Sequence, residues 1–151
     1  MTASEVDRIL IKLCDMIVKG QRTNPEKYGL VAACVVDPNG DIVAKTSLKQ
    51  GDKWVHAEHN AIEAYCNKHG DVPQDSIIIT TLSPCNETHD KTAKQRVGVS
   101  CTDIINKLGI KKVYCGYVDP TQDNEHNQFK CHETNDAKLK KLCKTISDIF
   151  L

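Results

Sequence analysis

The sequence predicts an α/β domain in three layers, α/β/α, with a mixed central sheet. Three observations carry this. Apolar periodicity gives the order helix, hairpin, helix, strand, helix, strand, helix, and strands alternating with helices imply a sheet with helices packed on it. An early hairpin supplies antiparallel pairing. A late strand–helix–strand unit supplies a parallel crossover. The 151 residues fit one domain over 1–151, long enough to bury a core.

The first helix covers 3–18, where Val6, Ile9, Leu10, Leu13, Met16 and Ile17 recur at helical spacing, with Ser4 as N-cap and Gly20 as stop. "LVAACVV" (30–36) and "DIVAK" (41–45) flank the turn "DPNG" and read as a hairpin. "WVHAEHNAIEAY" (54–65) begins a helix that runs to about Lys68. "SIIITTL" (76–82) is a buried strand that leads into "SPC". Residues 86–99 read as an inserted polar loop, "CTDIINKLG" (101–109) as a short helix with a glycine stop, and "KKVYCGYV" (111–118) as a strand. Residues 119–133 are polar and show no clear period. A closing amphipathic helix covers 134–149, with Leu139, Leu142, Cys143, Ile146 and Ile149 on its apolar side.

Twenty basic and twenty acidic residues cancel, so no net field draws the chain to nucleic acid. No apolar run reaches the roughly 18 residues of a membrane span. The opening lacks the charged head and apolar stretch of a secretory signal, and the chain is expected in the cytoplasm. Of eight cysteines, Cys14, Cys34, Cys66, Cys115 and Cys143 fall within apolar elements and are expected as small buried hydrophobes in a reduced protein. Cys85, Cys101 and Cys131 stand beside turns and need another explanation.

Catalytic zinc sites commonly take three protein ligands and keep one position open for water. His56 offers a nitrogen at a helix start. Cys85 follows a strand, and Cys101 opens a helix whose N–H groups and dipole stabilise a thiolate. Glu58, two residues from His56, does not share its helical face, but it reaches an ion lying off the helix tip. His59, three residues on, is the alternative nitrogen on the same face. Zinc deaminases combine H-x-E with a distant P-C-x-x-C, the glutamate moving protons rather than binding metal.

"HAE" (56–58) and "TLSPC" (81–85) resemble the cytidine deaminase superfamily. "TNPEKYGLVAACVVDPNGDIVA" (23–44) and "CTDIINKLGIKKVYCGYVDP" (101–120) are most similar to the pyrimidine deaminase of riboflavin biosynthesis, and "THDKT" (88–92) is faintly similar to the "HYGRT" between that family's two cysteines. The chain departs from the pattern in two ways: fifteen residues separate Cys85 from Cys101, and Ser100 stands where a proline is expected. The resemblance implies a cytidine deaminase-like fold and a Zn2+ ion held by His56, Cys85 and Cys101. It implies Glu58 as the catalytic proton carrier and substrate contacts from Asn24 and the backbone at Ala57. It also implies a homo-oligomer. His89 and Lys91, from their place in the insertion, are read as further substrate contacts, His89 alternatively as a metal contact, against the plain reading of a solvated loop.

The expected reaction is hydrolytic deamination of an amino-substituted pyrimidine-like base, nucleoside, nucleotide or riboflavin precursor. Two other readings stand beside it. A nucleic-acid deaminase would use Lys91, Lys94 and Arg96 and the segment 119–133 to hold a strand. A non-catalytic zinc domain would close the fourth metal position and leave Glu58 without a task. Cys131, His132 and His126 are weighed as a second metal site, and Trp54 either packs or stacks on a flat base.

Overall fold

A computed structural model of the chain describes residues 1–85, 100–120 and 129–150. The elements run α1 (Ala3–Thr23), β1 (Tyr28–Val36), β2 (Ile42–Gln50), β3 (Lys53–Val55), α2 (Ala57–His69), β4 (Ile77–Leu82), α3 (Cys101–Leu108), β5 (Lys112–Tyr117), β6 (Lys130–Glu133) and α4 (Ala137–Phe150). The strands form one mixed sheet in the order β3-β2-β1-β4-β5-β6. Pairing is antiparallel from β3 through β4 and parallel from β4 through β6. The α/β/α expectation therefore holds, including the hairpin and the late crossover.

Alternation along the central strands assigns the two faces. Ala32, Cys34, Val36 and Ile79 pack with Val6, Leu10, Leu13 and Ile17 of α1 and Leu139, Cys143 and Ile146 of α4. Val35, Ile78 and Val113 face the other way, against Ala61, Ile62 and Tyr65 of α2 and Ile105 of α3. The sheet is thus buried on both sides, which is why its central strands read as continuous apolar runs.

Several boundaries differ from expectation. Helix α1 is capped by Thr2, not Ser4: Thr2 Oγ1 accepts from Glu5 N at 3.2 Å and donates to Glu5 Oε1 at 3.1 Å. Gly20 does not stop the helix. It is buried within it, where a Cβ would stand 2.9 Å from Tyr28 Cβ, so the missing side chain lets β1 start close against α1. Gly40 does serve the hairpin turn as expected, at φ 87.

Strand β3 occupies the residues expected to begin α2, which instead starts at Ala57 with His56 as N-cap. Strand β6 lies in the stretch that showed no period. Cys66 is exposed rather than buried, as are Leu142 and Ile149 of α4. Among the described residues no helix is long and apolar enough to cross a membrane.

A candidate metal and proton-transfer centre

The centre lies at the end of the sheet where β4 finishes, on the α2/α3 side. Ligand sites of open α/β sheets favour such strand ends. Two helices begin there. Helix α2 starts directly after the edge strand β3, and Asn60, in its first turn, donates from Nδ2 to Thr46 O at 3.0 Å and to Val55 O at 3.2 Å. These bonds staple the helix start to β2 and β3. His56 has extended backbone as N-cap, and its ring makes no capping hydrogen bond.

The second arm, Ser83-Pro84-Cys85, leaves the end of β4. Ser83 N donates to Tyr117 O at 2.9 Å, and Asp119 N donates to Ser83 Oγ at 2.9 Å, tying this turn to the end of β5. The third arm is the start of α3, capped by Ser100, whose Oγ accepts from Asp103 N. Thr102 N donates to Cys85 O at 3.0 Å, and Cys101 N donates to Cys85 Sγ at 3.3 Å. The first amides of α3 therefore hold both the backbone and the sulfur of Cys85.

His56 Nδ1 lies 3.4 Å from Cys85 Sγ and 3.5 Å from Cys101 Sγ. All three donor atoms lie within 4.8 Å of one another. In tetrahedral zinc, Zn–S near 2.3 Å and Zn–N near 2.0–2.1 Å put such donors about 3.5 Å apart. The two nitrogen–sulfur distances match that spacing, and a donor set of one nitrogen and two sulfurs fits that ion. The Cys101 side chain, ahead of His56, holds the Cys85 thiol down to about 6, while burial pushes the Cys101 thiol up.

Glu58 is 4 % exposed and sits beside this cluster. Its Oε2 accepts from Cys101 Sγ at 3.3 Å, and its Oε1 accepts from Thr80 Oγ1 at 2.8 Å. Although it does not share the helical face of His56, Glu58 reaches the same centre, because that centre lies off the tip of α2. Ala57, fully buried, begins the helix between them.

The remaining candidates separate. Asn24 caps the C-terminus of α1, exposed, with its Oδ1 accepting from Glu26 N at 3.2 Å. Because β1 runs antiparallel to β4, Asn24 lies at the sheet end where the centre is. His59 is half-buried and is not among the clustered donors. The Trp54 ring packs near Gly29, where a Cβ would stand 3.2 Å from Trp54 Cζ3. Cys131 and His132 are neighbours on β6 and point to opposite faces. Cys131 meets Cys115, with 2.9 Å between sulfurs, and His132 meets the Tyr114 ring. His89, Lys91, Lys94, Arg96 and His126 lie outside the described residues. Sequence reasoning missed Thr80 and Asn60. The one available signal, for Thr80 alone, was the pair of threonines in the otherwise apolar strand "IIITTL".

Fold and centre together define a class: a cytidine deaminase-like α/β/α domain with a His-x-Glu helix start facing two cysteines. Residues 6–117 match the family described as the cytidine and deoxycytidylate deaminase zinc-binding region, and the chain belongs to that family. It is 32% identical over 133 residues to the riboflavin biosynthesis protein RibD of Actinobacillus pleuropneumoniae, covering 85% of this chain and 31% of that protein. It is 28% identical over 103 residues to the diaminohydroxyphosphoribosylamino-pyrimidine deaminase of Schizosaccharomyces pombe, covering 68% of this chain and 24% of that one. The crystal structure of the diaminohydroxyphosphoribosylaminopyrimidine deaminase/5-amino-6-(5-phosphoribosylamino)uracil reductase of Thermotoga maritima superposes with a TM-score of 0.62 at 26% identity, over 93% of this chain and 41% of that one. The chain thus spans less than half the length of each of these relatives.

Proposed function

We propose that the chain is a zinc-dependent hydrolytic deaminase that converts an amino-substituted pyrimidine-like ring to the corresponding oxo compound and releases ammonia. The observation that carries the reading is the meeting of His56, Cys85 and Cys101 around one point, with the Glu58 carboxylate beside it. The names of the relatives favour a ribosyl-phosphate aminopyrimidine on the route to riboflavin within a substrate class that also includes bases, nucleosides and nucleotides.

In this reading His56, Cys85 and Cys101 hold the ion. When bound, zinc supplies a Lewis acid that brings the pKa of water near 7. Glu58 takes a proton as the water oxygen adds to the ring carbon bearing the amine. It delivers that proton to the ring nitrogen, then takes the proton of the newly added hydroxyl and gives it to the amine, which leaves as ammonia while the carbon–oxygen double bond forms. The proton taken at the start returns to the same substrate, so one carboxylate serves both directions. Burial of Glu58 keeps bulk water from competing for that proton. The Ala57 backbone and Asn24 orient the substrate, joined by His89 and Lys91 from the 86–99 segment.

The reading treats 1–151 as one domain of a cytoplasmic homo-oligomer. It is tested by ammonia release from zinc-loaded protein offered cytosine, cytidine, deoxycytidylate and the ribosyl-phosphate diaminopyrimidine. Turnover of one of these compounds is expected. Silence across the whole panel from protein that carries zinc would overturn the reading.

A further inference from the structure

We infer that Thr80 is the positioning residue for Glu58, fixing which carboxylate oxygen is held by the protein and which is turned to the reaction centre. The inference rests on the deaminase reading above. A glutamate in the first turn of a helix has three rotatable side-chain bonds, and nothing in α2 itself sets them. Thr80 does so from the sheet. Its hydroxyl is 2.8 Å from Glu58 Oε1, which leaves Oε2 directed at Cys101 Sγ.

Thr80 is well placed for this. It is fully buried and lies on the central strand, paired to Ala33 of β1 on one side and to Cys115 of β5 on the other. A β-branched side chain on a strand fixed on both sides has little freedom at χ1. The next residue, Thr81, points to the opposite face and does a different job, accepting from Ala32 N at 3.2 Å.

The Thr80 hydroxyl has one proton and two acceptors in reach, because Leu82 O also lies 2.8 Å away. When Glu58 is a carboxylate, Thr80 donates to it. When Glu58 holds the substrate-bound proton on Oε2, Oε1 becomes its carbonyl oxygen and still accepts from Thr80. One bond donated by Thr80 to Oε1 therefore holds the glutamate in both halves of the reaction without moving it.

The test compares zinc-loaded wild type with Thr80→Val and Thr80→Ser. Loss of a partner that orients a site group commonly costs about 10–100-fold in activity. Thr80→Val is expected to lose that much in kcat while KM stays within about twofold, the pattern of an interaction used mainly in the transition state. Zinc content should be unchanged, and Thr80→Ser should recover most of the activity. Thr80→Ala carries the same expectation as Thr80→Val should the valine variant fold poorly. A valine variant with wild-type kcat would overturn the inference, and so would a serine variant as slow as the valine one. If the wild type releases no ammonia from any substrate, the deaminase reading is what fails. The positioning claim is then read from crystal structures, where the Glu58 carboxylate should swing away in Thr80→Val; an unmoved carboxylate would overturn it.

Discussion

Tyr65 of α2 donates its hydroxyl proton to Asp37 Oδ2 at 2.8 Å, joining the second helix to the turn that closes the β1–β2 hairpin. Asp37 also accepts from Asn39 N and Asp41 N, so one carboxylate holds both the turn and the helix above it. The Tyr65 hydrogen bond, above all, holds the Asp37 carboxyl below its ordinary value. Burial first, and Asp37 second, push the Tyr65 hydroxyl up to about 12.

The signs of the two shifts give a pH window at each end. Asp37 is depressed in the folded state, so its contribution is present above its ordinary carboxyl range and is lost as pH falls through the folded value. Tyr65 is raised, so its contribution is full below the ordinary tyrosine range and is lost as pH climbs toward about 12. Urea unfolding of wild type and Tyr65→Phe should differ most near neutrality and converge as pH falls below the ordinary carboxyl range. A gap that stays constant over that range would contradict the assignment.

Gly116 of β5 faces Cys143 of α4. A Cβ there would touch the Cys143 sulfur and stand 2.8 Å from Cys143 Cβ and 3.0 Å from Thr81 O. Gly116→Ala should therefore destabilise by about 1–3 kcal/mol, the usual cost of overpacking, despite alanine's better strand propensity. Adding Cys143→Ala, which clears the sulfur, should return part of the loss. Denaturant midpoints at constant m-value are the measurement.

Metal content separates holding from chemistry. Elemental analysis of the native chain should give about one zinc per molecule, as expected of a three-ligand catalytic site. Cys85→Ser and Cys101→Ser should fall well below that, and wild type treated with a chelator should lose both the ion and turnover.

Glu58→Ala and Glu58→Gln should keep the metal and lose turnover by about 10²–10⁴-fold, the range for a general acid–base group. Loss of zinc together with activity in both variants would instead make Glu58 part of the metal site.

The helix cap offers a check independent of function. Thr2→Ala removes both hydrogen bonds that the Thr2 hydroxyl makes with Glu5 and should cost about 0.5–2 kcal/mol. Thr2→Ser should cost far less. Thermal unfolding of the three proteins decides it.

Much of this was legible in the residues because burial on both faces forces a simple pattern. Central strands β1, β4 and β5 must be mostly apolar on both faces, and the helices above them must repeat at 3.6. The edge strands escaped for the converse reason: β3 and β6 pair on one side only, are three and four residues long, and carry charged residues at Lys53, Lys130 and Glu133. Cys66 falls four residues past Ile62, at the margin of the buried stripe, and emerges into solvent.

The three donors and Glu58 were readable because each sits at a strand end or helix start with the right chemistry. Thr80 and Asn60 were not. Their roles depend on which side chain lies across the sheet, and no local pattern encodes that.

Strand β4 has its antiparallel neighbour behind it in the chain and its parallel neighbour ahead. On a ribosome, the imidazole and the carboxylate are therefore made while their sulfur counterparts are still untranslated. Until the later half emerges and lies down beside the earlier one, the nascent polypeptide has only an unfinished pocket, in which His56 and Glu58 wait for Cys85 and Cys101.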